Sequence, residues 1–219
     1  GALGKPGGGI TRSTAPAFAF NMEAVLQESL ASFTPRTINM VQLGWALTRL
    51  HDPPVKALHV YHSNPAVVAP DSTQVLKGLM REDLFTVVHE IVMSETALYA
   101  DLVLPATTSM ESTDLYRSYG HYYLQMAHPV IPPVGEARST LAIFQDLAMR
   151  LGFDDPCFRQ SESEFIEALL ASGSPYLKGV TLDRLSSGSP VRLKVPADIF
   201  SDGYGKPSGK IEFYSQAMA

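Results

Sequence analysis

Three short apolar runs, spaced by a helix and then by a turn with one helical twist, constrain the fold of this chain more than any other feature. Ala57–Tyr61 is bounded by Pro54 and by the Ser63-Asn64-Pro65 turn, as a buried strand should be. The next helix is expected to begin near Asp71, because Asp71 and Gln74 have capping-box spacing and Val75, Leu76, Leu79 and Met80 form an apolar stripe. Leu84–Val88 then reads as a second strand. A polar turn from Glu90 to Ser94 and a short helical piece at 96–99 lead to a third strand, Leu102–Leu104, which Pro105 ends. Strand, helix, strand in this order calls for a parallel crossover of right-handed sense. The expected fold class is therefore α/β, a parallel, doubly wound, Rossmann-like sheet with flanking helices.

The flanks carry their own punctuation. Met22, Val25, Leu26 and Leu30 recur at helical spacing behind Asn21, and Met40, Leu43, Leu47 and Leu50 do so behind Asn39; both helices are expected to cover one face of the sheet. From Ser109 to Pro133 the periodicity gives way to aromatic and polar residues, an irregular loop or hairpin excursion. Ser139 caps a helix with Ile143, Phe144, Leu147, Ala148 and Leu151 on one face and Gly152 at its end, which should pack back on the sheet. Ser161 and Glu164 form a further capping box. Val191–Val195 and Lys210–Tyr214 alternate, as half-exposed strands do.

Charge and cysteine content exclude several functions. The 219 residues carry 17 Lys and Arg against 22 Asp and Glu, a net charge of −5, so nucleic acid is not an expected partner. No apolar run approaches the roughly 18 residues of a membrane span. A single cysteine, Cys157, leaves no disulfide framework, thiolate zinc site or cysteine-held iron–sulfur cluster within these residues. The chain opens in a glycine loop and closes soon after an alternating run, and only 18% of it is charged, which reads as a segment of something longer.

Motifs for independent catalysis fail on their chemistry. Gly203–Lys210 lacks the glycine, the hydroxyl residue and the following helix of a phosphate loop. His59 and His62 are three apart in a strand and should face opposite ways, a poor metal pair. His89, His121 and His128 have no partner at ligand spacing, Cys157 has no neighbouring base, and no nucleophile elbow is present. What remains is the carboxyl edge of the parallel strands, where loops collect ligands. His62, Ser63 and Asn64 follow the first strand; Glu90 follows the second, with Ser94 and Thr96 just beyond. A carboxylate there can accept from a ribose diol or from the N1–H and amine of guanine, and hydroxyls suit phosphate, so the ligand suggested is a nucleotide. The alternative for Ser94 and Glu95 is a simple helix cap.

In order along the chain, Ser63-Asn-Pro65, Val87-Val-His-Glu90, Ser94-Glu-Thr-Ala97, Tyr99–Thr107 and Glu111 resemble the molybdopterin-dependent oxidoreductases of the dimethyl sulfoxide reductase and formate dehydrogenase superfamily. Gly4–Gly9, Val130–Ala137 and Ser208–Phe213 are similar to the preceding glycine loop, the segment before the next helix and the entry to a C-terminal domain. The resemblance implies two molybdopterin guanine dinucleotides (bis-MGD) carrying molybdenum or tungsten, one of them gripped at its nucleotide end by this region. By motif position Asn64, Glu90, Ser94 and Thr96, with His62 and Ser63 of the adjoining turn, would line that site. Asp101 and Glu111 would support neighbouring turns, and Arg117, Tyr119, Gly120 and Tyr123 would lie in the loop approaching the pterin and the substrate funnel.

The organisation so implied is a cofactor-binding α/β region over 1–152, with its excursion at 109–134, a helical and strand extension over 153–204, and the start of a C-terminal dinucleotide-binding β domain over 205–219. Partners would be the remaining domains of the same polypeptide, a small-molecule substrate and an electron-transfer subunit. The metal-ligating Cys, Ser or selenocysteine and any iron–sulfur cluster would lie upstream, so the fragment alone would be inactive, and the compartment stays open between cytoplasm and periplasm. A stand-alone flavodoxin-like nucleotide module and a degenerate interaction domain are the alternatives.

Overall fold

The computed structural model describes residues 13–30, 34–196 and 208–210. In chain order these form α1 (Glu23–Leu26), α2 (Leu43–Arg49), β1 (Ala57–Tyr61), α3 (Pro65–Val68), α4 (Ser72–Leu79), β2 (Phe85–Glu90), β3 (Leu102–Pro105), β4 (Asp114–Arg117), β5 (Tyr123–Ala127), α5 (Thr140–Arg150), α6 (Glu162–Leu170), α7 (Leu182–Ser186) and β6 (Val191–Arg192). The opening glycine loop, the connection around 203–207 with its boundary near 205, and the alternating run 211–214 lie outside the described residues. Two compact units result. Of the described residues, one gathers 27–30, 34–114 and 127–164, the other 13–26, 115–126, 165–196 and 208–210.

The first unit is built on the three apolar runs. β1, β2 and β3 pair in parallel in the order β1-β2-β3, with His59 opposite Val87 and Val87 opposite Leu102. Alternation along each strand puts Leu58, Val60, Val88 and Val103 on one face. There Leu58 meets a core of Leu47 from α2 and Val75 and Leu79 from α4, while Val60 and Val88 pack with Ala97 of the turn before β3. The opposite face carries His59 and Tyr61, whose rings lie 5.1 and 5.2 Å from that of Phe144 in α5. Helices on both faces make the sheet doubly wound, as the sequence patterning requires.

Capping explains where the helices start. Asp71 stands before α4 with φ of 55°; its carboxylate accepts from the Gln74 N–H at 3.4 Å and from the Gln74 side-chain amide at 2.5 Å. Ser139 Oγ accepts from the Ala142 N–H at 3.3 Å at the head of α5, and Gly152, with φ of 87°, follows its end. At α6 the box is reciprocal: Glu164 N–H donates to Ser161 Oγ at 3.3 Å and Ser161 N–H to Glu164 Oε2 at 2.8 Å.

The first periodic stretch departs from its expectation. Instead of one amphipathic helix, α1 is a single turn, Gln27 takes φ of 46°, and residues 28–30 form a 3-10 turn. Met22, Val25, Leu26 and Leu30 are exposed rather than laid on a sheet face. A left-handed residue after one turn ends a helix whose nucleation already costs more than four residues return. Asn39 performs as read, accepting from the Val41 N–H at 3.1 Å ahead of a 3-10 turn that runs into α2, yet Met40 of that stretch is exposed.

The second unit has its own core of Phe18, Leu124, Leu177, Val180, Leu185, Val191, Leu193 and Val195. β5 pairs antiparallel with β6, Leu124 opposite Val191, in a sheet ordered β4-β5-β6, so the excursion after residue 109 contains a true sheet. Val191, Leu193 and Val195 are buried while Arg192 and Lys194 are exposed, the alternation expected of a half-exposed strand. Among the described residues no helix is long and apolar enough to cross a membrane.

Candidate nucleotide site at the carboxyl edge of the sheet

β1 ends at Tyr61, and His62 leaves it with φ of 47°, a conformation uncommon outside glycine. The His62 N–H still donates to the His89 carbonyl at 3.1 Å, which pins the turn to the end of β2. The kink also cancels strand alternation. His62 therefore brings its ring to 5.7 Å from that of His89, which shares a face with His59, and the expectation that His59 and His62 point opposite ways is corrected. His62 Nε2 and Thr140 Oγ1, at the head of α5, are 2.7 Å apart. Ser63 beside it is exposed.

Asn64 is the clamp of this edge. Its Oδ1 accepts from the Thr96 N–H at 3.1 Å and from the Thr96 hydroxyl at 2.7 Å, and its Nδ2 donates to Glu95 Oε2 at 2.6 Å. Thr96 Oγ1 in turn accepts from the Ala66 N–H at 3.0 Å. The loop after β2 is thus sewn to the turn after β1 across 32 residues of sequence. Thr96 is fully buried, so it builds the edge from beneath rather than facing a ligand. Ser94 is buried too, its Oγ accepting from the Ala97 N–H at 3.4 Å, which is the capping role. The bond to Asn64 holds the Glu95 carboxyl below its ordinary range. Asn64→Ala would leave the Thr96 donors without their acceptor, and a loss of about 1–2 kcal/mol is expected in a urea unfolding midpoint.

Glu90 closes β2. Its Oε1 accepts from the Ile91 N–H at 2.8 Å, which fixes the carboxylate, and its Oε2 has no hydrogen-bond partner among the described residues. The side chain is half-buried. An oriented acceptor on the carboxyl edge, with His62 and Ser63 exposed on the adjoining turn, suits a base that presents paired N–H donors.

Asp101 does not join this group. It precedes β3, and its Oδ2 accepts from the Thr86 N–H at 2.7 Å near the start of β2, at the opposite edge of the sheet. Four strand residues, roughly 13 Å, separate Thr86 from Glu90. Glu111 is a buried staple: Oε2 accepts from the Thr108 N–H at 2.7 Å and Oε1 from the Val134 N–H at 2.6 Å. Those bonds hold its carboxyl below the ordinary range. A depressed carboxylate stabilises above its ordinary value, about 4.5, and loses that contribution as pH falls through it toward the folded value. Limited proteolysis of the 108–134 segment should accordingly quicken as pH drops below about 4.5, and Glu111→Gln should show the quickening already at neutral pH.

Arg117, Tyr119 and Gly120 belong to the second unit, together with Tyr123 at the start of β5. Arg117 ends β4, Tyr119 is exposed, and Gly120 has φ of 83°, a turn conformation. Arg117, Ser118 and Tyr119 line a cavity of about 150 Å³ with Thr14, Ala15 and Phe18. Among the described residues no group of three His, Cys, Asp or Glu could hold a metal ion.

Sequence spacing missed the role of His89. The ring is fully buried, and Nε2–H donates to the Arg138 carbonyl at 3.2 Å, tying the end of β2 to the segment before α5. No local signal marks it, since the partner lies 49 residues away.

The molybdopterin oxidoreductase family model matches residues 10–150, which include the whole parallel sheet and both loops of its carboxyl edge. The chain belongs to the molybdopterin oxidoreductase family. The probable oxidoreductase YoaE of Bacillus subtilis is 42% identical over 97% of this chain and 31% of its own length. The trimethylamine-N-oxide reductase of Haemophilus influenzae is 29% identical over 78% of this chain and 23% of its own. Among solved structures, acetylene hydratase from Pelobacter acetylenicus superposes with a TM-score of 0.65 at 27% identity, over 83% of this chain and 25% of that one. The chain thus spans under a third of the length of each of these three proteins.

Proposed function

We propose that this chain grips the nucleotide end of one molybdopterin guanine dinucleotide inside a larger oxidoreductase. The observation that carries the reading is Glu90, an oriented carboxylate with one oxygen uncommitted at the carboxyl edge of a parallel sheet. Guanine presents N1–H and an exocyclic amine side by side, and a carboxylate accepts both. Ser63 and His62 would flank the base or ribose from the adjoining turn. Asn64, Thr96 and Ser94 would keep the two loops at their spacing, as their internal hydrogen bonds suggest. Arg117 and Tyr119, in the second unit, would contact the cofactor or line the substrate path.

The bound group would supply metal-centred redox chemistry, oxygen-atom transfer or formate-type oxidation, at its molybdenum or tungsten. The residues of this chain would bind and orient, and the isolated chain would not turn over substrate. Substrate contacts and the electron partner would involve the rest of the polypeptide.

The test is chemical. Hydrolysis of the purified full-length enzyme should release GMP with molybdenum or tungsten at about two nucleotides per metal, the ratio a bis-guanine-dinucleotide cofactor requires. Metal without GMP would overturn the reading.

A further inference from the structure

The face of the sheet beneath α5 holds an unusual group: three imidazoles, one of them stacked on Phe144. His59 stacks on Phe144 with ring centres 5.1 Å apart, and His89 lies 5.7 Å from His62. Two ring nitrogens in this layer, His59 Nε2 and His89 Nδ1, are buried without a hydrogen-bond partner among the described residues. A buried acceptor left unpaired costs free energy that most folded chains avoid.

His89 is the better placed of the two to matter. The Arg138 carbonyl that it donates to also accepts from the Thr107 N–H at 3.3 Å, and the Arg138 N–H donates to the Pro105 carbonyl at 3.1 Å. Residues 106 and 138 form a parallel bridge there. One neutral ring therefore helps clasp the segment entering α5 to the ends of β2 and β3. Since a carbonyl can only accept, the Nε2 proton is fixed and Nδ1 is the site left for a second proton.

We propose that His89 is an acid-sensitive latch, whose protonation at Nδ1 releases the segment leading into α5 from the carboxyl edge of the sheet. The proton comes from solvent and forms an N–H bond at Nδ1; no bond between heavy atoms changes. A second N–H in this position finds no acceptor among the described residues. His59 and His62 are themselves cation-forming and oppose the charge. The Arg138 guanidinium is already paired with Asp146 at 2.6 Å, and Glu90 is the one carboxylate that favours it. Burial dominates this balance and pushes the His89 ring below its ordinary value of 6.5, with the Arg138 bond working the other way. The sign follows. A ring kept neutral when closed contributes fully above pH 6.5, and that contribution falls away below it as the open form takes up the proton.

Hydrogen–deuterium exchange of the full-length protein at pH 7.5 and 5.5, corrected for the chemical exchange rate, tests this. Peptides spanning 104–110 and 136–146 should open more at pH 5.5, by more than twofold and at most about tenfold, the ceiling that linkage sets for one proton gained by a group titrating near 6.5 when open. His89→Gln supplies an amide donor that does not titrate, and its change between the two pH values should stay under about twofold. His51→Asn, at an exposed histidine that does not act on His89, should keep the full acceleration. Equal acceleration in the Gln variant, none in the wild type, or its loss in His51→Asn would each overturn the latch. If the Gln variant does not fold, exchange of the imidazole C2 hydrogens in the wild type decides the matter. A His89 midpoint below 6.5 is expected, and one at or above 6.5 overturns the proposal.

Discussion

Alanine at Gly78 is expected to destabilise the protein by about 1–3 kcal/mol, although by helix propensity alone it should stabilise by about 1 kcal/mol. Gly78 lies inside α4, where glycine is a poor helix former. It also faces α2 so closely that an added Cβ would stand 2.4 Å from Leu47 Cβ and 3.0 Å from Leu47 Cδ1. The first of those atoms is fixed to the backbone of α2 and cannot swing aside. Gly44 across the same seam is tight as well, its virtual Cβ 2.9 Å from Gln74 Cβ and 3.0 Å from the Val75 nitrogen. The two helices therefore meet backbone to backbone over a core in which Leu47 and Val75 are almost wholly buried. Separating them to admit a methyl group loosens that packing, and the loss exceeds the propensity gain. Chemical denaturation of Gly78→Ala beside wild type reads the sign directly: a lowered midpoint is expected, and a raised one would mean that α2 and α4 are not in this contact. Gly78→Val should cost more still, about 3 kcal/mol or beyond.

The elements that could be read from the sequence were those whose signals are local. β1, β2 and β3 are continuous apolar runs between turn residues, and α4, α5 and α6 begin at caps that make their bonds within three residues. Where outcome depended on distant partners, spacing carried no information. The Asn64–Thr96 clamp and the His89–Arg138 bond join residues 32 and 49 apart, and neither follows from a periodicity. α1 shows the reverse error, a helical period that a left-handed Gln27 interrupts. Asp101 was recoverable by a topological argument. In a parallel sheet an acid that precedes a strand sits at the edge opposite to one that follows a strand, so Asp101 and Glu90 could not have shared a site. His62 lies between these cases: its place after β1 was legible, but the φ of 47° that turns it toward His89 was not.

Glu90→Gln, made in the full-length enzyme, is expected to weaken retention of the guanine dinucleotide. The carboxylate oxygen without a protein partner is the one offered to the base, while the other is held by the Ile91 N–H. A glutamine amide keeps the shape but has one acceptor: with its oxygen on the Ile91 N–H its NH2 meets the guanine donors, and with its oxygen turned to the base the Ile91 bond is lost. Losing a charge-assisted bond of this kind costs about 1.5–3 kcal/mol, roughly tenfold to 150-fold in affinity. A glutamate that only braced its own turn would move stability and leave retention untouched. The most direct measurement is therefore the GMP-to-protein ratio of wild type and Glu90→Gln as each is held in dilute, cofactor-free buffer, with the unfolding midpoint followed in parallel. Faster loss of GMP from the variant at a closely similar midpoint is expected; equal retention, or a loss of stability alone, would contradict the assignment of this edge to the nucleotide.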